Sequence, residues 1–359
     1  MRFTRSSGAL AIVSTAVVAL SACSSANSVA GGASGDSSSA KYTYTSDQDG
    51  ISKGEGVDLD SSLGAAPAGN NKRVAVILKS LTNQYWQGIE KGAKAAGADL
   101  GVDVTIQAAS SEAAQTEQLT IAQTLVGQKF DAYVVAPEST SNLTPALQQM
   151  KGQGAPIVNV DDARIAGTTY VGPDHELDGT QAAEELAKLY PGDAKVAQIE
   201  GQAGSSAATL RIKGFKEGVA KAGTLDLVAS VPGDWDADKA YAATQQIIRQ
   251  HPDLKGIYAN NDTMAIGVAK AVSQSGKKIA VIGTDGVPEA VSGVRSGSMT
   301  ATVSPLPYYE GYWAVESAVR LLGGQKVPQW VAAPAQLIDK DTVDKFYDND
   351  GQVLTTLFK

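Results

Sequence analysis

The sequence contains a single cysteine, Cys23, in 359 residues. A disulfide within the chain is therefore excluded, and so is a metal site built from several thiolates. Histidine is nearly as scarce, because only His175 and His251 are present. Long apolar runs are lacking too, and nothing beyond the N-terminal region approaches the roughly 20 apolar residues of a membrane-spanning helix. We expect a mature chain that does not cross a membrane and that uses no metal or other cofactor.

Positive charge is in short supply as well. The chain has 30 Lys and Arg residues against 38 Asp and Glu residues, for a formal net charge of -8. No basic stripe and no helix-turn-helix pattern is present in the sequence, and both are typical of proteins that bind nucleic acids. We therefore exclude a nucleic-acid partner.

The N-terminal region has the pattern of an export signal. Arg2 and Arg5 precede a short apolar run that ends in small residues, which is typical of a secretory signal peptide, here over residues 1–22. The sequence LSAC at residues 20–23 resembles the bacterial lipobox, whose cysteine receives a lipid and becomes the new N-terminus. That resemblance implies an extracytoplasmic protein anchored to the outer face of the cell membrane through Cys23.

Residues 24–71 are rich in serine, glycine and alanine and show little apolar periodicity. A segment of this composition buries too little apolar surface to offset the conformational entropy lost on ordering. We predict a flexible tether over residues 23–71, beginning at the lipidated cysteine. Residues 41–45 alternate as a strand would, but they stand alone.

Beyond the tether, residues 72–359 suffice for two packed domains. Short runs rich in β-branched residues alternate with longer segments of helical periodicity, which predicts an α/β fold with parallel sheets and right-handed crossovers. Because these strand–helix units are more numerous than one sheet usually holds, we predict two lobes. The predicted strands cover residues 73–78, 102–108, 132–136, 157–161, 195–200, 227–231, 256–259 and 279–283.

Polar and aromatic residues recur after the ends of these strands. Ligands of open α/β sheets bind beyond the carboxyl ends of the strands, so a binding site is expected there. Each residue also has a purely structural interpretation: Asn83 could cap a helix, Trp235 could belong to the core, and Asp285 could occupy an ordinary turn. Their recurrence at successive strand ends favours a site. The candidates are Asn83, Tyr85, Trp86, Asp161, Asp162, Trp235, Asn261 and Asp285.

This combination of side chains suits carbohydrate recognition. Aromatic rings pack against the C–H faces of a sugar, while amides and carboxylates bond to its hydroxyl groups. Charged acceptors form stronger hydrogen bonds than neutral ones, so the orientation of each hydroxyl can be read. A small polar ligand, above all a sugar or a polyol, is therefore predicted.

Several motifs carry a resemblance to the ribose-type family of periplasmic sugar-binding proteins, over residues 73–345. They are the first strand with its loop to Trp86, the strand at residues 157–161, the loop at residues 200–208, and the segments at residues 260–267 and 281–286. The resemblance implies the type I periplasmic binding protein fold, in which two similar Rossmann-like lobes are joined by a three-segment hinge. The implied crossings lie near residues 173–175, 304–306 and 333–335.

The same resemblance implies how the chain divides and where its ligand lies. The N-terminal lobe is expected to comprise residues 72–174 plus 306–334, and the C-terminal lobe residues 175–305 plus 335–359. A sugar in the cleft is expected to stack between Trp235 and either Tyr85 or Trp86. The ligand-binding positions are assigned as Asn83, Tyr85, Trp86, Asp161, Asp162, Thr209, Trp235, Asn261 and Asp285, with Asp161 and Asp285 as hydroxyl acceptors.

Three positions depart from the family pattern. Asp162 and Thr209 stand where an arginine is usual, and Pro305 stands where a glutamine is usual. Ribose itself is therefore not the expected ligand. The cleft gains a carboxylate, and burying it unpaired is costly. We expect compensation by Lys79 or Arg211, by exposure to solvent, or by a positively charged ligand such as an amino sugar.

The resemblance implies the solute-binding component of an ABC importer, a monomer that captures a monosaccharide or polyol and presents it to a membrane permease. An amine-bearing ligand is one alternative, and a sensory protein that acts with a receptor is another. An enzyme is not expected, because the sequence lacks a glycine-rich phosphate loop and a nucleophile elbow. Asp161 and Asp162 are adjacent and are expected to point in opposite directions, which is poor geometry for a glycosidase pair. Both histidines are expected to be structural or solvated.

Overall fold

The structure, a computed structural model, describes residues 52–358. The predicted signal peptide, Cys23 and the strand-like segment at residues 41–45 lie outside this range. The strands are β1 (Lys53–Glu55), β2 (Arg73–Ser80), β3 (Asp103–Ala109), β4 (Ala132–Val135), β5 (Ile157–Val160), β6 (Thr169–Gly172), β7 (Ala194–Glu200), β8 (Leu225–Pro232), β9 (Gly256–Ala259), β10 (Ala280–Thr284), β11 (Ala301–Ser304), β12 (Trp330–Ala332) and β13 (Gln336–Asp339). The helices are α1 (Leu59–Leu63), α2 (Gln84–Leu100), α3 (Gln115–Gly127), α4 (Thr144–Gly152), α5 (His175–Leu189), α6 (Ser206–Ala222), α7 (Ala237–Gln250), α8 (Asp262–Ser275), α9 (Pro288–Ser296), α10 (Pro307–Leu322) and α11 (Val343–Phe346).

The first sheet has the strand order β1-β12-β6-β5-β4-β2-β3, and its neighbouring strands run parallel. A parallel sheet is covered by helices on both faces, and β2 shows the pattern that this requires. Val74, Val76 and Leu78 belong to the apolar cluster that contains α2 and α10, whereas Ala75 and Ile77 belong to the cluster formed with α3 and α4. We call this sheet and these four helices the N-terminal lobe.

The second sheet has the order β13-β11-β10-β9-β7-β8, and together with α5 to α9 it forms the C-terminal lobe. The prediction of parallel strands holds for it with one exception, because β13 runs antiparallel to β11 at the edge. On one face, Leu186 and Phe215 of α5 and α6 pack on the sheet, and on the other face Ile247 and Val268 of α7 and α8 do so. Both predicted sheets are therefore present, and the fold class predicted from the sequence is confirmed.

The chain passes between the two sheets after β6, after β11 and after β12. A further contact between the lobes comes from the C-terminal tail, which follows α11. The amide of Leu357 donates to the Tyr309 hydroxyl at 3.0 Å, and the ring of Phe358 lies 4.8 Å from that of Tyr309. Since Tyr309 lies on α10, the end of the tail packs on the N-terminal lobe. Its assignment to the C-terminal lobe is therefore corrected.

Residues 52–64 fold onto the N-terminal lobe, so the predicted end of the tether at residue 71 is wrong. β1 adds a parallel edge strand beside β12, and Leu59 is only 2% exposed. The buried guanidinium of Arg320 on α10 donates to the carbonyl of Gly64 at 2.9 Å. A three-residue strand and a single helical turn are too short to show periodicity, and their stability comes from the lobe that they cover. Within residues 52–358, no helix has the length and apolarity needed to cross a membrane.

Candidate functional site

A small cavity lies where the two lobes meet. It opens beyond the carboxyl ends of several strands, which is the position expected for a ligand site in open α/β sheets. Its lining is strongly polar, with aromatic side chains from both lobes. The lining residues are Lys79, Asn83, Tyr85, Trp86, Glu112, Asp161, Asp162, Ala207, Arg211, Trp235, Asn261 and Asp285. All the assigned positions except Thr209 are therefore brought together here.

The backbone around the cavity adopts conformations that ordinary residues avoid. Asp161, Asp162 and Trp235 have φ angles of 48°, 49° and 61°, and Asp285 has a φ of 131°. Such residues each cost on the order of 1–3 kcal/mol and gather at functional sites. The two consecutive left-handed residues also explain why Asp161 and Asp162 both line the cavity. The expectation that they point in opposite directions was wrong, because it assumed that the strand continues through them.

Tyr85 and Trp86 begin α2 and form an aromatic wall of the N-terminal lobe. Their rings meet edge to face, with centroids 5.0 Å apart. The Tyr85 hydroxyl donates to the two carboxylate oxygens of the buried Glu310 at 3.0 and 3.1 Å, which fixes the ring. The indole Nε1 of Trp86 is buried and has no hydrogen-bond acceptor among residues 52–358. It is therefore a donor that remains available to a ligand.

Asn83 and Asn261 are helix caps that also line the cavity. The Oδ1 atom of Asn83 accepts from the amide of Tyr85 at 3.0 Å, and its Nδ2 donates to Glu112 at 2.8 Å. Asn261 Oδ1 accepts from the amide of Met264 at 3.0 Å. Each asparagine therefore both caps a helix and lines the cavity. The two roles are compatible because the helix N-terminus lies at the same sheet edge as the cavity.

Trp235 supplies the aromatic wall of the C-terminal lobe. Its ring lies against the backbone of Gly201, where an added Cβ atom would come within 2.0 Å of the ring. The ring is half-buried and also lines a neighbouring pocket that shares Asn83 and Glu112 with the cavity. Glycine at position 201 thus makes room for the indole, and Trp235 separates the two pockets.

The carboxylate of Asp162 is fully engaged within the protein. It forms a buried ion pair with Lys79 of β2. It also accepts from the amide of Ala207 at 3.0 Å and from the hydroxyl of Ser205 at 3.3 Å. Ser205 and Ala207 lie at the start of α6, where the helix dipole favours an anion. Lys79 is therefore the group that compensates the buried negative charge of Asp162. Through Ser205 and Ala207, Asp162 also links the two lobes.

Thr209 lies outside the cavity, contrary to the prediction. Its exposed side chain donates to the carbonyl of Ser205 at 2.9 Å within α6. Arg211 takes its place, and its guanidinium is buried and lies 3.4 Å from the carboxylate of Asp285. Successive helical residues are about 100° apart, so positions two residues apart face nearly opposite sides of a helix. Arg211 therefore faces the cavity and Thr209 faces away from it.

The two carboxylates assigned as acceptors have different environments. Burial raises the pKa of Asp285 well above its usual range, and Arg211 opposes this rise. Burial also favours a higher pKa for Asp161, but the contact with His175 and the charges of Arg211 and Lys79 outweigh it and lower that pKa. Asp161 is therefore held as an anion that can accept hydrogen bonds.

Four lining residues were absent from the predicted site: Lys79, Glu112, Ala207 and Arg211. Glu112 follows β3 as Asp161 follows β5, so the strand-end rule could have found it. Lys79 lies within β2 and carries no such signal, since a lysine in a buried strand is recognised only through its partner Asp162. Among residues 52–358, no group of three or more His, Cys, Asp or Glu side chains is arranged to hold a metal ion.

Comparison with known proteins agrees with this geometry. Residues 74–326 match the family described as periplasmic binding protein domain. The D-allose-binding periplasmic protein of Escherichia coli K12 is 36% identical over 278 residues, which cover 74% of this chain and 89% of that protein. The ribose import binding protein of Bacillus subtilis 168 is 30% identical over 274 residues, covering 75% of this chain and 88% of that protein.

Solved structures give the same result. A periplasmic solute-binding protein of an ABC transporter from Actinobacillus succinogenes 130z, with bound D-allose, superposes with a TM-score of 0.74. It is 28% identical and covers 77% of this chain and 100% of its own. A solute-binding protein from Mycobacterium smegmatis with bound glycerol has a TM-score of 0.72 at 27% identity, covering 79% of this chain and 99% of its own. These relatives are binding proteins of transport systems, and the chain itself belongs to the periplasmic binding protein family, with the type I fold.

Proposed function

We propose that the chain is the extracytoplasmic solute-binding component of an ABC importer and that it captures a neutral monosaccharide or polyol. The observation that carries the proposal is the cavity between the lobes, which has aromatic walls on both sides and hydrogen-bonding groups around them. Relatives that bind D-allose, ribose and xylitol support this ligand class.

In this proposal the sugar lies between Trp235 and the wall formed by Tyr85 and Trp86. Asp161 and Asp285 accept hydrogen bonds from its hydroxyl groups, and Trp86 Nε1 and Arg211 donate. A ligand that touches both lobes stabilises their closed arrangement, and a permease recognises that closed surface. An amine-bearing ligand is less favoured than the sequence indicated, because Lys79 and Arg211 already supply positive charge next to the carboxylates.

Calorimetric titration of the chain from residue 24 onwards tests this ligand class. We expect D-allose or a related neutral sugar or polyol to bind with a Kd of about 1 µM or tighter. D-glucosamine is expected to bind at least about tenfold more weakly, since its ammonium group competes with the internal cations. Absence of binding by every neutral sugar and polyol, or preferential binding of the amine, contradicts the proposal. Chromatography of the recovered ligand shows whether it has been altered, which a binding protein does not do.

We also propose that Cys23 carries a lipid and anchors the protein to the membrane. Cells that express the full chain and grow with a labelled fatty acid are expected to incorporate the label into this protein. Cys23→Ser is expected to abolish the labelling and release the protein from the membrane fraction, because it removes the only thiol in the chain. Persistence of the label in Cys23→Ser contradicts the anchor without affecting the ligand proposal.

A further inference from the structure

His175 lies in the hinge and contacts one of the cavity carboxylates. It is the first residue of α5, just after the chain leaves β6, and its side chain is 2% exposed. Its Nε2 atom lies 3.1 Å from Oδ1 of Asp161, and its Nδ1 atom lies 3.3 Å from Oδ2 of Asp178. Each ring nitrogen therefore faces a buried carboxylate.

A third neighbour of the ring is also an acceptor. The Tyr170 hydroxyl lies 3.5 Å from Nε2 and donates its own proton to the carbonyl of Pro173 at 3.2 Å. When its proton is on the shorter bond to Pro173, the Tyr170 oxygen offers lone pairs to the histidine. A neutral imidazole has one N–H group and one unprotonated nitrogen, which needs a donor. Because a carboxylate lies next to each nitrogen, the arrangement favours the doubly protonated imidazolium, which carries an N–H group toward both.

We propose that His175 is a positively charged positioning residue, which holds Asp161 where it accepts hydrogen bonds from the ligand, so that ligand affinity depends on the His175 proton. This inference rests on the proposed function, because it assigns a role to Asp161 in ligand binding. It adds a residue that does not itself line the cavity. It also means that the affinity for the ligand depends on the charge of a residue in the hinge.

The contacts of Asp178 extend the arrangement to the other cavity carboxylate. The Oδ2 atom of Asp178 also accepts from Nε of Arg211 at 3.2 Å, and Arg211 NH1 lies 3.4 Å from Asp285. Carboxyl groups and basic groups therefore alternate from Asp161 in the N-terminal lobe to Asp285 in the C-terminal lobe. Removing the charge of His175 leaves Asp161 without its nearest cation, and an uncompensated buried charge is strongly destabilising.

The direction of the pH dependence follows from the groups that face His175. These are Asp161 beyond β5, Asp178 on α5, Arg211 on α6 and Tyr170 on β6. Burial lowers the pKa of His175, but the contacts with Asp161 and Asp178 outweigh burial and raise it. The imidazolium is thus present at low pH and is lost as the pH rises from the ordinary histidine value of about 6.5 through the raised pKa. Affinity is expected to fall on the alkaline side.

The protonation state can be measured without any ligand, since the chain has only two histidines. Imidazole resonances of the protein labelled at histidine are followed by NMR between pH 5 and 10, and His251→Gln assigns the two sets. We expect the His175 resonances to keep imidazolium shifts above pH 6.5. A His175 ring that is mainly neutral at pH 6.5 overturns the inference.

Titration with D-allose measures the consequence for binding. Wild type is expected to bind about ten- to a hundredfold more weakly once His175 is deprotonated. His175→Gln is expected to bind weakly throughout and to lack this pH dependence, because glutamine has no titrating proton. The control His251→Gln is expected to follow wild type. A His175→Gln protein with wild-type affinity or with the wild-type pH profile overturns the inference. If D-allose does not bind wild type, the proposed ligand is wrong, and the NMR titration alone decides whether His175 is charged.

Discussion

Replacement of Trp235 by alanine is expected to weaken the binding of D-allose about a hundredfold. The indole forms one of the two aromatic walls and lies between the cavity and a neighbouring pocket. Its loss removes the stacking surface and admits water to the polar side chains that bind the sugar. Calorimetric titration of wild type and Trp235→Ala measures the change.

The same variant is expected to remain folded, because Trp235 is half-buried in a loop between β8 and α7. Trp235→Phe is the matched control: it keeps an aromatic face and should recover most of the affinity. Circular dichroism and thermal unfolding check that both variants retain the fold. Equal affinity of wild type and Trp235→Ala would remove Trp235 from the proposed site.

Neutralising either member of the Lys79–Asp162 pair is expected to lower the free energy of unfolding by about 3 kcal/mol, because the partner charge stays buried without its counterion. The variants Lys79→Met and Asp162→Asn make this change with little alteration of shape, and asparagine tolerates the positive φ at position 162. The double variant should lose less than the sum of the single losses, with a coupling energy of about 2 kcal/mol. Urea unfolding of the four proteins measures that coupling.

A surface pair on the C-terminal lobe provides the control for this cycle. Lys239 and Asp234 lie 2.8 Å apart, but their side chains are 59% and 38% exposed. Lys239→Met is expected to leave the free energy of unfolding almost unchanged. Additive losses in the buried pair, with no coupling, would show that Lys79 and Asp162 do not depend on each other.

Much of the architecture could be predicted because its signal is repetitive. The alternation of β-branched runs with helical periods predicts eight strands, β2 to β5 and β7 to β10, with ends that differ by at most two residues. The strands that were missed have only three or four residues each: β1 and β13 at the edges, and β6, β11 and β12 inside the sheets. Their residues carry no period, and they are strands only because a neighbouring strand offers hydrogen bonds.

The site was predictable to the extent that it follows strand ends and helix caps. Asn83, Asp161, Asn261 and Asp285 stand at such positions and line the cavity. Thr209 was assigned because of its place in a motif. In the structure Arg211, two residues further along α6, faces the cavity instead, because residues two positions apart lie on nearly opposite sides of a helix. The pairing of Asp162 with Lys79 joins residues that are far apart in the chain, so it could be expected only as one of several possibilities.

The folding of residues 52–64 onto the N-terminal lobe changes how far an anchored molecule could extend from the membrane. A chain spans at most about 3.3–3.6 Å per residue, so a link from Cys23 to residue 71 could reach about 170 Å, whereas one that ends at residue 51 reaches about 100 Å. If the protein is tied to the membrane at Cys23 and serves a permease, as proposed, the effective concentration scales roughly as the −3/2 power of link length, so the shorter link raises it about twofold. The edge strand β1 would then help to keep the binding protein close to the membrane.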